Sequence, residues 1–212
     1  MRYERKYRIE NQALAFVEQM IRHHPWGFST LFPDRQVNNI YFDTPGMTCY
    51  KENVAGIAER KKYRVRWYGD LEATEGVKNQ LEIKIKNNAL GDKERYDFPA
   101  FALSDWNTLG NIVTDSLSRP VSLIPTLLNS YQRSYFGLPT EKFRITIDRA
   151  LGYCPLIQES QKPSIRHLDV AIIVEIKYDE SLEAEANQVL QYIPFRATKN
   201  SKYVTGIETG MS

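Results

Sequence analysis

The chain has 212 residues, with 28 Lys and Arg against 26 Asp and Glu, so its formal net charge is only +2. This balance argues against a nonspecific coat for nucleic acid, and 42% hydrophobic with 12% aromatic residues excludes a disordered chain. The two cysteines, Cys49 and Cys154, lie far apart and predict no disulfide framework. Charges interrupt every apolar run well short of a membrane span, so we expect a cytoplasmic protein, with tethering to a membrane partner left open.

The first half of the chain predicts strands separated by short helices. In chain order, the predicted elements are a strand at Arg2–Ile9, a helix capped by Asn11 and ending near Arg22, a strand at Gln36–Phe42, a short helix at Met47–Glu52, and strands at Ala58–Tyr68, Val77–Lys86 and Lys93–Phe98. The turn Asp43–Gly46 contains Pro and Gly, which end the second strand.

The second half predicts three more strands and ends in a polar segment. A helix capped by Ser104 comes first, then strands at Leu127–Phe136, Lys142–Ala150 and Asp169–Tyr178, and a last helix capped by Ser181. After the basic stretch Lys199–Tyr203, the final residues are expected to fray. About eight strands with helices in the connections predict one α+β domain over residues 1–212.

Charge alternates along several of these strands. Because successive side chains of a strand point to opposite faces, Lys62, Arg64 and Arg66 share one face, opposite an apolar stripe. An antiparallel sheet with one wet face explains a single strand of this kind. The pattern recurs on five strands, however, and like charges on adjacent strands repel unless a polyanion or carboxylates compensate. The recurrence therefore favours an anion site.

The candidate site is a set of cations interspersed with carboxylates. The basic members are Lys6, Lys62, Arg64, Arg66, Lys84, Lys86, Arg133, Arg144, Lys177 and Lys202, and the acidic members are Glu4, Glu82, Asp148 and Glu175. If the sheet closes into a barrel, these stripes turn inward and must hold water and a dense anion such as a phosphate chain. Arg forks suit phosphate oxygens, and carboxylates beside phosphates suit Mg²⁺ or Mn²⁺. Asp148 has two open roles, metal binding or positioning of Arg133 or Arg144.

Eight short motifs carry a resemblance to a known family. In order they are Tyr3–Tyr7, Ile40–Pro45, Arg64–Gly69, Leu81–Lys84, Tyr131–Arg133, Arg144–Asp148, Val174–Lys177 and Ser201–Tyr203. The chain resembles the polyphosphate polymerase domain of the vacuolar transporter chaperone (VTC) family, within the triphosphate tunnel metalloenzymes. The resemblance implies an eight-stranded antiparallel β-barrel, or tunnel, with helices packed outside.

The family resemblance also implies roles for individual residues. The residues matching Arg64 and Arg66 hold nucleotide or chain phosphates, as do those matching Lys6, Lys84, Arg133, Arg144 and Lys202. The residue matching Glu175 carries the metal, and we expect Glu4 or Glu82 to assist it with Mn²⁺ or Mg²⁺. The hydrolytic relatives begin strand one with Glu-x-Glu-x-Lys, whereas Arg2 replaces the first Glu here, which favours the polymerase branch.

We therefore expect a metal-dependent polyphosphate polymerase that transfers the γ-phosphate of ATP to a growing chain. The expected catalytic residues are Arg64, Arg66, Arg133, Arg144 and Glu175. The expected ligands are ATP or another triphosphate and polyphosphate, with no nucleic acid. A triphosphate hydrolase in the same tunnel and a noncatalytic polyphosphate-binding module are the two rival hypotheses. Trp67, Tyr41 and Tyr135 are expected in the core between the barrel and its helices, and Lys61 on the solvated outer face.

Overall fold

A computed structural model describes residues 2–88, 90–117, 121–157 and 159–211. The strands in this part of the chain are β1 (Arg2–Ile9), β2 (Ser29–Asp43), β3 (Glu59–Tyr68), β4 (Asn79–Asn87), β5 (Leu90–Phe98), β6 (Ile124–Gly137), β7 (Phe143–Pro155), β8 (His167–Asp169) and β9 (Ile172–Asp179). The helices are α1 (Leu14–Arg22), α2 (Thr48–Ala55), α3 (Leu109–Asp115), α4 (Glu183–Leu190) and α5 (Lys202–Glu208). No helix in the described ranges has the length and apolar character needed to cross a bilayer.

Eight of the strands close into a ring. Their order is β6-β2-β3-β4-β5-β1-β9-β7, all pairs are antiparallel, and β7 pairs back onto β6. The short β8 lies beside β7, outside this ring. The seam between β1 and β5 is the shortest, with one register pair, Arg2 with Gly91, among the described residues. The predicted α+β fold with eight antiparallel strands in a ring is confirmed.

The apolar faces of the strands point outward and are covered by helices. On one side, β1, β7 and β9 pack against α1 and α4, where Val17 and Val189 have no exposed surface. On the other side, Val65 and Trp67 of β3 pack with Trp106 of the 3₁₀ turn that leads into α3. Trp67 is thus a core residue, as predicted. Since burying apolar surface stabilises by about 25 cal/mol per Å², these outer layers hold the ring together while its interior carries the charges.

The long strands extend beyond their predicted bounds. β2 begins at Ser29 rather than Gln36, and β7 continues to Pro155 rather than ending at Ala150. Ala150 has φ of +49°, and the β6–β7 register shifts beside it. Irregular pairing of this kind bends a strand, so a period-two pattern breaks there although the strand continues.

Three predicted helix caps are wrong. α1 begins after Ala13, whose side chain makes no capping hydrogen bond, and Asn11 instead takes a left-handed conformation with φ of +57°. Ser104 lies inside the 3₁₀ turn and bonds the carboxylate of Asp105. Ser181 donates its backbone N–H to Asp179, which is the true cap. Packing of the apolar faces set the starts of α1 and of the 3₁₀ turn, which lack a side-chain cap, whereas a local cap at Asp179 sets the third start two residues before the predicted one.

The chain end does not fray where the sequence predicted it would. α5 begins after Ser201, whose hydroxyl oxygen accepts a hydrogen bond from the backbone N–H of Val204. Gly206 lets the helix approach the ring so closely that a Cβ atom there would lie 2.5 Å from Leu127. Leu127 shares the inward face of Tyr41, its register partner, so α5 closes this end of the ring.

Candidate phosphate-binding site

Four cations surround one buried carboxylate on the β3–β4–β5 side of the ring interior. We call this group the Glu82 cluster, and its members are Glu82, Arg64, Arg66, Lys93 and Arg95. Register pairs Arg64 and Arg95 with Glu82 from the two neighbouring strands. Glu82 accepts from Arg64 at 2.5 and 2.9 Å and lies 3.6 Å from Arg66, and Lys93 and Arg95 each approach it to 3.3 Å. Burial alone would raise the pKa of Glu82, but these cations hold it well below its usual range.

Polar neighbours orient the two arginine forks of the Glu82 cluster. Arg64 donates to the Tyr41 hydroxyl at 3.2 Å, while Arg66 donates to Asn39 at 2.8 Å and to the Tyr131 hydroxyl at 3.0 Å. Tyr41 is a buried core residue, as predicted, and its ring stacks on that of Tyr203 in α5 with centroids 5.2 Å apart. The register partner of Tyr41 is Arg64, so the Tyr41 hydroxyl shares the interior with that guanidinium.

A second charged group occupies the β1–β9–β7 side. We call it the Glu175 cluster, and its members are the carboxylates Glu4, Asp148 and Glu175 with the cations Lys6, Lys84, Arg133, Lys177 and Lys202. Lys202 reaches it from the first turn of α5 and is 8% exposed. Lys202, which lies late in the sequence, is thus held in the interior because α5 closes this end of the ring.

Asp148 positions Arg133 and Lys202. Arg133 donates to both Asp148 oxygens, at 2.5 and 2.7 Å, and the Lys202 ammonium lies 2.5 Å from the carboxylate. Burial opposes ionisation of Asp148, but Arg133 and Lys202 lower its pKa below the ordinary value. Of the two roles left open by the sequence, these contacts favour positioning, with Arg133 as the partner.

Glu4 and Glu175 face each other across shared lysines. Lys177 lies 3.3 Å from Glu4 and 3.2 Å from Glu175, and Lys6 lies 3.6 and 3.4 Å from the same two carboxylates. Burial would raise the pKa of both acids, yet Lys6 and Lys177 contribute to lowering both values. Both acids are therefore ionised at neutral pH.

These carboxylates decide where a divalent ion would fit. The described residues contain no group of three or more His, Cys, Asp or Glu side chains arranged to hold a metal. Glu4 and Glu175 share one locality with two anionic oxygen donors, which suits a hard cation that takes its other ligands from phosphate and water. Glu82 lies on another wall among four cations. Its prediction as a metal ligand stays untested, and its contacts favour holding Arg64.

The remaining predicted phosphate ligands have different surroundings. Lys62 bonds the Ser201 hydroxyl at 2.7 Å, and burial together with Lys6 and Lys84 brings its pKa well below the ordinary value. Lys86 is half-buried where β4 ends. Arg144 lies on the same face of β7 as Asp148, but towards the end of the ring opposite α5. Its side chain is 46% exposed and lies 3.1 Å from that of Glu141.

Sequence reasoning missed Lys93 and Arg95. Both face the interior because β5 pairs with β4 in a register that sets Lys93 opposite Lys84 and Arg95 opposite Glu82. The signal was available, since the two cations alternate with Glu94 and Tyr96 as strand faces require. The two residues occupy alternate positions of one strand, as Lys62, Arg64 and Arg66 do on β3.

The ring and its two clusters define the class of protein. It is an antiparallel β-ring whose interior contains many cations interspersed with carboxylates, and such an interior is suited to phosphate chains. The VTC domain model matches residues 1–210, so the chain belongs to the VTC domain family. Membership supports a polyphosphate- or triphosphate-related function and an enzyme acting on phosphates. No curated protein matches the chain.

Two solved structures share the fold. The PH1819 protein from Pyrococcus horikoshii OT3 matches with a TM-score of 0.54 and 12% identity, covering 99% of each chain. A candidate adenylate cyclase from Vibrio parahaemolyticus matches with a TM-score of 0.55 and 15% identity, covering 96% of this chain and 97% of that one. At such low identity the likeness concerns the fold alone.

Proposed function

We propose that the protein is a metal-dependent polyphosphate polymerase that transfers the γ-phosphate of ATP to a growing chain inside the ring. The observation that carries the proposal is the enclosed set of arginine forks, Arg64, Arg66 and Arg133, each already oriented by a carboxylate. Phosphoryl transfer needs positioning and charge stabilisation more than a nucleophilic side chain. The interior supplies both.

The chain's own residues would bind and align the reacting phosphates. Arg64 and Arg66 lie two residues apart on β3, a spacing of roughly 6–7 Å that allows them to contact neighbouring phosphates of one chain. Arg133 lies on β6, separated from β3 by β2, and shares its carboxylates with Lys202. An incoming triphosphate would compete with Glu82 and Asp148 for these forks, so binding exchanges internal ion pairs for ligand ones.

Glu175 and Glu4 would hold Mn²⁺ or Mg²⁺. A divalent ion bound there would neutralise charge on the transferred phosphoryl group and its leaving oxygen. The lysines Lys6 and Lys177 now balance these two carboxylates, at 3.2–3.6 Å. With a cation held there, Lys6 and Lys177 would be available to pair with the phosphates.

Product analysis tests the proposal against its two rivals. The purified protein is incubated with ATP and Mn²⁺, and the products are sized by gel electrophoresis. Long phosphate polymer with ADP supports the polymerase. Free phosphate without polymer would replace it with a hydrolase, and unchanged ATP that still protects the protein against melting would replace it with a binding module.

A further inference from the structure

An aromatic collar surrounds an arginine on the inward face of the ring, at the end opposite α5. The guanidinium carbon of Arg35 lies 5.3 Å from the ring centroid of Phe32, 5.8 Å from that of Tyr68 and 5.7 Å from that of Tyr135. Phe32 and Tyr135 meet edge to face, with centroids 5.8 Å apart and planes at 88°. We call Phe32, Arg35, Tyr68 and Tyr135 the aromatic collar.

The collar is continuous with the phosphate-binding wall. Arg35 is the register partner of Arg133, and Tyr135 follows Arg133 by two residues on the same face of β6. Tyr68 follows Arg66 by two residues on β3. Burial raises the pKa of Tyr135, whereas Arg133 and Arg66 lie near enough to act on it in the lowering direction. Tyr135 was expected in the core between ring and helices, and that expectation is wrong.

The collar has features that an outer-layer core lacks. Phe32 is 46% exposed, and Arg35 is also exposed. Arg35 makes no ion pair with a carboxylate of the described residues, and the adjacent Asp34 pairs instead with Arg149 at 2.6 Å. An exposed guanidinium among aromatic rings, rather than beside a carboxylate, offers flat stacking surfaces with donors at their edges.

The chemistry of these rings selects the ligand. Aromatic faces carry negative charge density, so the three rings would not favour a further run of phosphates beyond Arg133. A planar heterocycle would bind favourably to both parts of the collar, because it can stack on the aromatic rings and on the guanidinium plane. We propose that the aromatic collar binds the base of a nucleoside triphosphate whose phosphates lie on Arg66 and Arg133. This inference rests on the proposed function, which names ATP as the donor, and it adds the place in the ring where the base would bind.

Calorimetry with two ligands tests the collar separately from the phosphate site. Binding of ATP and of tripolyphosphate is measured in EDTA, so that no metal-dependent turnover occurs, for wild type, Phe32→Leu and Arg35→Lys. Loss of one stacking surface should weaken ATP binding about five- to tenfold, at the lower end of what base–aromatic stacking contributes. Tripolyphosphate affinity should stay within about twofold, because Arg35→Lys keeps the positive charge and Phe32→Leu adds none.

Phe16→Leu is the matched control. Phe16 lies on α1 on the outside of the ring, and its exposure of 50% is close to the 46% of Phe32. The same substitution there should leave both affinities unchanged. If Phe32→Leu and Arg35→Lys leave the ratio of the ATP and tripolyphosphate affinities at its wild-type value, the collar does not bind the base. Its occupant would then be a protein partner, or it would have none.

The wild-type measurements separate the two levels of the proposal. If wild type binds both ligands and only the variants fail to change the ratio of affinities, the collar proposal alone is overturned. If wild type binds tripolyphosphate but not ATP, the collar proposal and ATP as the donor are both overturned, while the phosphate site stands. If wild type binds neither ligand, the proposed function fails first and the collar proposal fails with it. Since both substituted residues are exposed, loss of folding does not confound these variants, and a melting curve of each confirms this.

Discussion

The Glu82 and Glu175 clusters carry similar residue types but differ in how their charge is balanced. In the Glu82 cluster four cations share one carboxylate, and two of them, Lys93 and Arg95, have side chains that are 39% and 51% exposed. In the Glu175 cluster five cations face three carboxylates, and Lys202 and Arg133 are buried. The formal charges therefore sum to +3 in the Glu82 cluster and +2 in the Glu175 cluster, and the larger difference is the ratio of cations to carboxylates, four to one against five to three.

This difference suggests a division of labour. Unbalanced charge in a half-open wall repels itself until an anion arrives, so the Glu82 cluster is suited to capture phosphates. Carboxylates clustered with lysines are suited to hold a divalent ion and align the transferred group. Lys62 bonds Ser201 and is flanked by Lys84 across the β3–β4 pair, so it connects the two walls.

The strongest test of the division removes one charge from the Glu175 cluster. Glu175→Gln keeps size and hydrogen bonding but removes the charge that would hold the metal. Turnover of ATP to polymer should fall by at least about a hundredfold, in line with losing one preorganised electrostatic contact, while tripolyphosphate still binds. Initial rates and calorimetry measure the two effects.

Glu183→Gln is the control for that change, since Glu183 makes a half-exposed ion pair with Arg5 on the outer face. It should leave turnover near wild type. Normal metal-dependent turnover in Glu175→Gln would remove this residue from the mechanism and leave the two walls equivalent.

The second test removes an arginine fork from the Glu82 cluster. Arg64→Ala and Arg66→Ala should each cost about 1.5–3 kcal/mol of tripolyphosphate affinity, the range for hydrogen bonds to charged groups. Arg64→Lys and Arg66→Lys should weaken binding less and turnover more, because alignment depends on the bidentate fork. Calorimetric binding and initial rates measure these losses.

Lys61→Ala and Arg60→Ala serve as controls for the fork variants. Lys61 lies on the outer face of β3, and Arg60 lies at the entrance of the strand. Both changes should have much smaller effects. An effect of Lys61→Ala as large as that of Arg64→Ala would contradict the alternation on which the inward cationic face depends.

The third test asks whether the excess charge is enclosed. Tripolyphosphate at about 100 times its dissociation constant should stabilise the fold by about 2.7 kcal/mol through mass action. Sulfate at equal ionic strength should stabilise it far less, because it cannot reach several cations at once. Thermal melting measures both, and equal stabilisation by the two anions would indicate an open, solvated sheet face.

The fourth test uses pH to weaken one lysine of each cluster, Lys84 and Lys93. Burial lowers the pKa of Lys84 to about 8 although Glu4 opposes this, and burial lowers the pKa of Lys93 to about 8 although Glu82 opposes it. A bound phosphate favours the charged amine, so binding above pH 8 takes up protons. Tripolyphosphate affinity should then fall by up to about tenfold per lysine between pH 7 and pH 9.

The same two lysines have an opposite effect on stability. Their pKa values in the folded protein lie below the unfolded value of 10.5, so the unfolded chain binds more protons between about pH 8 and 10.5. Their contribution to the free energy of unfolding therefore rises with pH in that window. Lys93→Arg should flatten the affinity profile, since Arg keeps its proton. An unchanged profile in that variant would exclude Lys93 from phosphate binding.

Side-chain alternation alone determined the faces of the strands. Lys62, Arg64 and Arg66 share the interior, and Trp67 lies in the outer core, as a period of two requires. The strands and the charged stripes could be predicted because both depend on neighbours close in sequence. The helix caps at Asn11 and Ser104 could not, because tertiary packing outweighed their small local preferences, and the cap expected at Ser181 lies two residues earlier, at Asp179.

Only the closed ring decided which charges meet. The register between strands placed Arg95 beside Glu82 and Arg35 beside Arg133, and a slip of one residue would have turned these side chains to the other face. The residues after the polar, basic stretch Lys199–Tyr203 were predicted to fray, but helix α5 forms there. This helix is ordered because it packs against Leu127 and Tyr153 at the end of the ring and because Lys202 forms ion pairs there. These contacts join residues far apart in sequence, and such contacts exist only after the ring has closed.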